Sequence, residues 1–476
     1  MAGFIVGWLH LPLALWWLAV LPLAALLYLV AREPTAKSAF RVGFFGWLGF
    51  WSVHLFWLPQ SFSASFGWFV WFLMPLLWVI EAFFNASVIY LAHRLTKSKM
   101  ETLVTTAMFL VLLEYIRASM GVLAFPWGNF GYLFIDTPIA QIANLGGVYL
   151  LSVLFMFLAI GVAALGFFEW RILPAALLLL LVSTVYGLTR PSVAAATRPA
   201  LLVQGNIGSL QRLAGLDRQN DFETYMKLSK PKVKNSVIVF PEAALGLEQI
   251  AKVEGGNSNV PKLGRLIAGV ADFRRGSRSN SVAAIKDGVL LAISTKQHLV
   301  PFGEFYPLRR ELAFVYDAIA RLLGFGFGSM ELRYETRTLE LDGERFGTYV
   351  CYDSVFPDVP KDRVLDGAQV LVNVSNDSWF GRTWGIEQHF MMGRMRAIET
   401  GRYVLRAGNT GITAVIDSQG RVVNRAPIQQ PLALEVQYGL ENTRTLYVRF
   451  GDWAVGLALL VAMVAIWLSR TNTAAW

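Results

Sequence analysis

The chain has 476 residues, of which 55% are hydrophobic and 16% are charged. This composition excludes disordered, collagen-like and disulfide-stapled proteins, and a single cysteine cannot form an internal bridge. Residues 1–198 hold 10 Lys/Arg and 6 Asp/Glu, whereas residues 199–476 hold 32 and 27. The apolar excess therefore lies in the first part of the chain, which is expected in a membrane. Basic residues there set membrane orientation, so the net charge of +9 does not predict nucleic-acid binding.

Seven apolar runs have about the length needed to cross a bilayer. The first run contains Pro12 and Pro22 and predicts either one kinked helix or two short helices, so seven or eight spans are expected. A cleavable signal peptide is disfavoured because no basic segment precedes the first run and further runs follow. The runs are Phe4–Ala31, Phe40–Pro59, Trp68–Leu91, Leu103–Ile116, Ile142–Phe168, Leu173–Leu188 and Trp453–Leu468.

Basic residues in the short loops predict the orientation of these spans. Lys and Arg gather in alternate loops, while loops 61–67 and 118–141 contain none. Cytoplasmic loops are the ones enriched in Lys and Arg. The large segment between Leu188 and Trp453 is therefore expected on the outer face of the membrane.

Two features near the fourth run are polar or irregular. Glu114 and Arg117 are three residues apart on one helix face, which predicts an ion pair that is either structural or functional. The following segment, 121–132, is rich in Gly and aromatic residues. It is expected to form a loop against the membrane surface.

Short β-branched apolar runs separated by polar segments begin after residue 198. They predict a layered α/β domain with its own core. The expected division is a membrane domain over 1–198, an α/β domain over 199–440, and a final membrane helix and tail over 441–476. The candidate strands are Leu201–Gln204, Ser236–Phe240, Leu266–Val270, Ser281–Ile285, Leu290–Ser294, Phe346–Cys351, Val370–Val374, Tyr403–Ala407, Thr413–Ile416 and Leu432–Val436.

Three chemically useful residues follow predicted strands. Glu242 follows VIVFP, Lys296 follows LLAIST, and Cys351 follows RFGTYV. Strand ends form the usual ligand edge of α/β domains, so a carboxylate, an ammonium and a thiol are expected to converge there. Taken singly, each has an ordinary alternative: an inert buried cysteine, a helix-capping glutamate and a solvated lysine.

Several blocks make the chain similar to a known family. It resembles the apolipoprotein N-acyltransferases of bacterial inner membranes, whose outer domain belongs to the nitrilase, or carbon–nitrogen hydrolase, superfamily. The similarity covers nearly the whole chain, including its hydropathy. The blocks are EYIR at 114–117, FPWGNFGY at 125–132, QGN at 204–206, FPEAAL at 240–245, KQHLVPFGEFYPL at 296–308, VCYDSVFPD at 350–358, VNVSNDSWFG at 372–381 and RMRAIETGRYVLRAGNTGITAVID at 394–417.

The resemblance implies a nitrilase-like αββα sandwich behind a polytopic α-helical membrane domain. It implies that Cys351 is the nucleophile, Glu242 the general base and Lys296 the cation that stabilises the oxyanion. This agrees with elementary chemistry, since a thiol with a pKa of about 8.5 needs a base and a nearby cation to attack at neutral pH. Three further residues correspond to supporting or substrate-positioning groups of the family: Glu304, Tyr352 and Asp353.

The chain departs from the family pattern in three places. Asp353 replaces the usual Glu after the Cys-Tyr pair, and Ser294 stands where a Tyr is common. No Trp occurs in residues 207–216, shortly after QGN. The three predicted catalytic residues are all present, so the basic chemistry is expected to be kept. The departures are expected to affect substrate positioning and rate instead.

The segment from Leu312 to Met330 is unusually apolar for a loop of an exposed domain. Its glycines do not form a phosphate loop, because the strand–turn–helix context is missing. One hypothesis is a mobile lid whose Leu323, Phe325 and Phe327 contact lipid. An ordinary buried hydrophobic loop is the alternative.

Acyl transfer is the function that the resemblance implies. A phospholipid would donate the acyl chain, and the α-amino group of a diacylglyceryl-modified apolipoprotein would accept it at the outer face of the inner membrane. The alternatives are a membrane-anchored amidase or nitrilase with water as acceptor, and a transporter or receptor with an inactive hydrolase-like domain. The five histidines lack metal-ligand spacing, so no metal or cofactor is expected. Because one chain carries all three predicted catalytic residues, we expect a monomer.

Overall fold

The computed structural model describes residues 1–11, 15–208, 218–230, 234–246, 263–272, 278–323, 330 and 338–471. The first part of the chain is helical, as its apolar runs predict. Its helices are α1 (Ala2–Leu9), α2 (Val20–Arg32), α3 (Ala36–His54), α4 (Trp57–Phe66), α5 (Val70–Leu95), α6 (Lys99–Ser119), α7 (Ala143–Leu165) and α8 (Ile172–Leu188).

Within the described ranges, 4 helices are long and apolar enough to cross a membrane: Val70–Leu95, Lys99–Ser119, Pro138–Leu165 and Trp453–Thr471. Each predicted run nevertheless overlaps a helix. The first run forms two helices, α1 and α2, and the second breaks after His54 into α3 and α4. Helix α3 is long enough, but Lys37 and Arg41 lower its mean hydropathy. Helix α8 is apolar but has only 17 residues. The number of spans remains a prediction of seven or eight.

The predicted ion pair between Glu114 and Arg117 is wrong. Arg117 on α6 pairs with Glu81 on α5, with 3.3 Å between Nη1 and Oε2. Glu114 instead accepts the backbone N–H of Phe130 at 3.0 Å. Both side chains lie on the buried face of α6, but they face different neighbours. Their spacing identified the shared face and could not identify the partner across it.

The segment 121–132 is irregular apart from two short 3-10 turns, as predicted, and residues 126–132 are buried within the protein. Trp127, Phe130 and Tyr132 are each at most 2% exposed. The segment lies between the membrane helices and the domain that follows them, with the Trp127 indole N–H donating to Gln388 at 2.9 Å. A Cβ at Gly131 would lie 2.2 Å from the carbonyl oxygen of Val148, so this close packing requires glycine.

The described part of residues 198–438 forms two six-stranded sheets. The strands are β1 (Arg198–Gln204), β2 (Val237–Gly246), β3 (Arg265–Asp272), β4 (Ser279–Lys286), β5 (Val289–Thr295), β6 (Leu339–Leu341), β7 (Glu344–Val350), β8 (Val370–Ser375), β9 (Val404–Gly408), β10 (Ala414–Ile416), β11 (Val422–Arg425) and β12 (Leu432–Tyr438). Their order is β12-β1-β2-β3-β4-β5 in the first sheet and β11-β10-β9-β8-β7-β6 in the second. The ten predicted strands are confirmed, and the two short strands β6 and β11 were missed.

Helices cover the outer faces of both sheets and complete the predicted αββα layering. Helix α9 (Arg218–Leu228) packs on the first sheet through Phe222 and Tyr225. Residues of both sheets, among them Val239 and Val372, form the core between them. The remaining helices are α10 (Ala313–Leu323), α11 (Asp358–Leu365), α12 (Trp384–Thr400), α13 (Leu446–Phe450) and α14 (Trp453–Thr471).

The outer face of the second sheet and the membrane helices share one apolar core. That core includes Trp51 and Trp127 of the membrane part together with Met395 and Ile398 of α12. Burial of apolar surface is the main stabilising contribution in such a core. The second sheet is therefore packed against the membrane part through a buried interface, and this places its strand ends at a defined position relative to the membrane helices.

Candidate active site

Cys351 lies at the sharp junction between β7 and a 3-10 turn, Cys351–Val355. Its φ is +46°, in the left-handed region that residues other than glycine rarely adopt. The residue is 7% exposed. Backbone strain of this kind persists only where surrounding contacts over-determine it, and it is common at functional sites.

Lys296 follows β5, as predicted, and the residue is 2% exposed. The Nζ donates to Oε1 of Glu304 at 2.8 Å and lies 3.9 Å from Oε1 of Glu242. The Lys296 backbone N–H donates to the carbonyl oxygen of Asn280 on β4 at 2.9 Å. Two carboxylates and the neighbouring strand therefore hold this cation in a buried position.

Glu242 lies inside β2 and not after it, which corrects the predicted strand end. The pairing of β2 with β3 shifts between Phe240 and Leu245, and Ala243 has a φ of +52°. This irregularity lets the Glu242 carboxylate accept from the Asn280 side chain at 2.6 Å and from the backbone N–H of Asn376 at 2.7 Å. Asn376 directly follows β8, so the carboxylate bridges the two sheets.

The electrostatic surroundings favour a protonated thiol beside a base and a cation. Burial raises the pKa of Glu242, although Lys296 opposes the shift. Burial also raises the pKa of the Cys351 thiol, with Glu242 adding to the effect and Lys296 opposing it. Burial alone would lower the pKa of Lys296, but the carboxylates of Glu304 and Glu242 raise this pKa on balance. The Lys296 side chain therefore remains an ammonium. Such an arrangement can transfer the thiol proton to Glu242 during attack.

Asp353 and Tyr352 connect the nucleophile to other parts of the molecule. Asp353 accepts the backbone N–H groups of His298 at 2.8 Å and Val350 at 3.1 Å, so it joins the loop after Lys296 to the end of β7. The Tyr352 hydroxyl donates to the carbonyl oxygen of Ala124 in the membrane part at 2.9 Å. Neither interaction is visible in the sequence.

The predicted lid is described only at its beginning. Leu323 is the last residue of α10, while Phe325 and Phe327 lie outside the described residues. The segment leading to this position exposes several apolar side chains. The exposed fraction is 59% for Phe302, 52% for Leu308 and 72% for Phe314.

A group of potential metal ligands also lies beside the nucleophile. One ligand atom each from Cys351, Asp377 and His389 falls within 4.8 Å of the others. The Asp377 oxygens already accept from Arg406 Nη2 at 2.8 and 2.9 Å and from the Ser375 hydroxyl at 2.6 Å. A buried guanidinium at this point repels a metal cation, so the donor set does not fit a metal.

Sequence reasoning missed three residues of this site: Asn280, Asn376 and His389. Asn376 lies within a block that was recognised, although no role was assigned to it. His389 was dismissed because the histidines lack metal-ligand spacing. No pattern in the chain pointed to Asn280, since its two carboxylate partners are separated from it by 38 and 24 residues.

The fold of the α/β domain indicates the class of protein. A family model described as carbon–nitrogen hydrolase matches residues 265–438. The chain also aligns with two solved structures: a Xanthomonas campestris CN-hydrolase superfamily protein (18% identity, TM-score 0.36, 51% of this chain and 90% of that one) and a Helicobacter pylori carbon–nitrogen hydrolase (15%, 0.37, 56% and 92%). The family-model match shows that the α/β domain has the carbon–nitrogen hydrolase fold.

Comparison over the full length is more specific. The model of the apolipoprotein N-acyltransferase N-terminal domain matches residues 2–161. The chain is similar to apolipoprotein N-acyltransferases of Geobacter metallireducens (31% identity, 95% of this chain and 91% of the relative), Chromobacterium violaceum (30%, 99% and 93%) and Vibrio cholerae (29%, 98% and 96%). The chain belongs to the apolipoprotein N-acyltransferase family and is an acyltransferase.

Alkylation of Cys351 is expected to be slow at neutral pH and to accelerate with rising pH. Because the chain has one cysteine, the mass gained from iodoacetamide reports on this thiol alone. Burial and Glu242 raise its pKa, so the inflection of the pH–rate profile is expected above the value of about 8.5 of a free thiol. Time-resolved intact mass spectrometry measures the rate, with Cys351→Ala as the blank. A rate already constant from neutral pH upwards would contradict this expectation.

Proposed function

We propose that the protein transfers an acyl chain from a phospholipid, through a thioester on Cys351, to the α-amino group of a diacylglyceryl-modified lipoprotein cysteine. The proposal rests on the position of the three predicted catalytic residues. A buried thiol, carboxylate and ammonium lie in a domain that shares its apolar core with the membrane helices. Both substrates are lipidated, so a catalytic centre built against a membrane part can receive them laterally.

In the first step, Glu242 takes the proton of the Cys351 thiol while the sulfur attacks the ester carbonyl of the phospholipid. The oxyanion that forms is stabilised by the Lys296 ammonium. When the tetrahedral intermediate collapses, the ester C–O bond breaks and Glu242 returns its proton to the leaving glycerol oxygen. The products are a lysophospholipid and an acyl-thioester on Cys351.

In the second step, the α-amino group of the lipoprotein cysteine attacks the thioester carbonyl. Glu242 accepts a proton from the nitrogen, Lys296 again stabilises the oxyanion, and the C–S bond breaks. The proton returns to the sulfur and regenerates the thiol. The raised pKa of Cys351 favours its protonated form at the end of this cycle.

The remaining predicted residues have supporting roles in this proposal. Glu304 orders the Lys296 ammonium through its 2.8 Å hydrogen bond. Asp353 and Tyr352 position the nucleophile segment through their backbone contacts. We propose that the lid, with Leu323, Phe325 and Phe327, contacts lipid at the entrance. The exposed Phe314 of α10, the helix that ends at Leu323, supports this role.

We further propose where the protein lies in the cell and how its chain is divided. The bacterial cytoplasmic membrane is the proposed location, with the catalytic domain on the outer face, because the basic short loops occupy the opposite side. We place the domain limits at 198/199 and 440/441. A monomer suffices, since Glu242, Lys296 and Cys351 come from one chain, and the proposed steps require no metal or organic cofactor.

The test follows the acyl chain through both steps. Purified protein is incubated with phospholipid carrying an isotopically labelled acyl chain, and intact mass spectrometry measures adduct formation. A diacylglyceryl-cysteine peptide is then added, and the labelled chain is expected to move to its α-amino group. The same peptide with an acetylated amino group serves as the matched control and should leave the adduct in place.

Two outcomes oppose the proposal. If no adduct forms with phospholipid, or if the Cys351→Ala variant still forms it, the thioester mechanism fails. If labelled fatty acid is released equally with and without the peptide, water is the acceptor, and the protein is a membrane-anchored hydrolase that uses the same three residues.

A further inference from the structure

A buried histidine behind the nucleophile takes no part in the transfer chemistry above. His389 on α12 has its Nε2 3.2 Å from the carbonyl oxygen of Cys351 and 2.9 Å from the Ser354 hydroxyl. Its Nδ1 lies 3.2 Å from Asp377 Oδ1 and 3.1 Å from Arg406 Nη2. The histidine, the aspartate and the arginine are each 1% exposed. Solvent therefore cannot replace these contacts.

The surroundings of the ring select one of its protonation states. Burial, followed by the charge of Arg406, lowers the pKa of His389, so the imidazole is neutral. Arg406 holds Asp377 with two hydrogen bonds and also faces Nδ1, which can accept from it. Asp377 Oδ1 also lies 3.2 Å from Nδ1, and its hydrogen bonds come from Arg406 and from the Ser375 hydroxyl. The carbonyl oxygen of Cys351 can only accept, so we assign the single ring proton to Nε2, with Nδ1 accepting from Arg406. The Nε2–H therefore donates to the carbonyl oxygen of Cys351.

That carbonyl belongs to the strained residue of the site. Cys351 has a φ of +46° and begins a 3-10 turn, so its backbone conformation needs external support. The direction of the Cα–Cβ bond, and with it the position of Sγ relative to Glu242, follows from this backbone conformation. A hydrogen bond to the carbonyl oxygen consequently influences where the thiol points.

Two aromatic rings, Trp127 of the membrane part and Phe380 of the α/β domain, pack against the histidine. The imidazole stacks against the Trp127 ring at 6.4 Å between centroids and 16° between planes, and against Phe380 at 5.1 Å and 28°. The preceding residue, Gln388, accepts the Trp127 indole N–H at 2.9 Å and donates to the carbonyl oxygen of His54 at 3.2 Å. Residues of the membrane part thus contact both His389 and its neighbour.

We propose that His389 is a positioning residue for the nucleophile. Its Nε2–H holds the carbonyl of Cys351 and maintains the left-handed backbone that directs Sγ toward Glu242. Asp377 and Arg406 orient the ring, and Trp127 connects this support to the membrane part. The kinetic consequence of this inference rests on the proposed function, whereas its effect on the thiol does not.

Two similar polar substitutions test the proposal. In His389→Gln, the amide nitrogen can reach the position of Nε2 and still donate to the Cys351 carbonyl. In His389→Asn, the side chain is one methylene shorter and reaches only toward Asp377. Both variants keep a neutral polar group in the same site, so similar thermal unfolding is expected.

Two readouts follow the thiol: the pH–rate profile of iodoacetamide alkylation and the rate constant for acylation by phospholipid. Because a displacement of about 1 Å can reduce rates about 10²-fold, His389→Asn is expected to lower acylation at least about tenfold and His389→Gln by no more than about threefold. The alkylation profile should shift in His389→Asn alone, since the thiol moves relative to Glu242 and Lys296. The phospholipid KM should remain unchanged in both.

The outcomes separate this inference from the proposed function. Wild-type-like alkylation and acylation in His389→Asn would overturn it, and so would equal losses in both variants. If wild-type protein forms no phospholipid adduct, the proposed function fails, yet the comparison of alkylation profiles still decides the role of His389. A shifted profile in His389→Asn that His389→Gln restores supports the positioning role.

Discussion

Replacing Glu242 with Gln is expected to reduce both acylation of Cys351 and transfer to the peptide amine by ~10²–10⁴-fold, the usual contribution of a general acid–base. The substitution conserves size, so the hydrogen bond from the backbone N–H of Asn376, now 2.7 Å, can persist. An amide cannot accept the thiol proton or return it to the leaving oxygen. Adduct formation and peptide acylation, both followed by mass spectrometry, measure the two steps.

An activated acyl donor tests whether Glu242 protonates the leaving group. A p-nitrophenyl ester has a leaving group that departs without protonation, so the loss in Glu242→Gln should be smaller with this donor than with phospholipid. Equal losses with both donors would show that Glu242 does not protonate the leaving group. Glu340→Gln is the matched control, because this carboxylate is exposed on β6 of the same domain and unchanged activity is expected.

Replacing Lys296 with Met is expected to abolish detectable transfer and to destabilise the protein. Removing the ammonium eliminates the oxyanion partner, for which losses of ~10²–10³-fold are typical. It also leaves Glu242 and Glu304 as buried carboxylates that share the Asn280 amide, at 2.6 and 3.1 Å. Loss of the ammonium and repulsion from Glu304 raise the pKa of Glu242 further, which favours the protonated form of the base. Breaking a buried ion pair on one side is destabilising by about 3–5 kcal/mol.

A double variant separates the two effects of this substitution. Lys296→Met combined with Glu304→Gln restores the charge balance and is expected to recover most of the lost thermal stability, measured by intrinsic fluorescence on heating. Activity should stay at the level of the single variant, because no cation faces the oxyanion. Recovered activity in the double variant would mean that Lys296 serves only to balance the carboxylates.

Much of the fold could be predicted because its elements are local. Apolar runs and β-branched runs located the membrane helices and ten of the strands, since burial imposes these patterns on neighbouring residues. Strands β6 and β11 were missed because segments of three and four residues are too short for a pattern. The sequence blocks pointed to Cys351, Glu242 and Lys296, and the structure places all three in the buried site.

Contacts between distant residues could not be predicted. The chain contains no pattern that joins Trp127 to Gln388, 261 residues away, or His389 to the carbonyl of Cys351. The same limitation explains the wrong ion pair at Arg117, whose partner Glu81 is 36 residues away on another helix. Spacing along one helix shows which side chains share a face, but packing decides what they meet.

The division into an apolar helical part and an α/β domain, and the three residues proposed to carry the chemistry, could be identified from the amino-acid sequence alone. These properties depend on composition, periodicity and residue type, which are readable in order along the chain. The folded protein was needed to show that Glu242 bridges both sheets from an irregular strand. It was also needed to show that Trp127, in a buried aromatic segment of the membrane part, stacks on His389. Such contacts arise when close packing of two layers brings together groups that the chain keeps far apart.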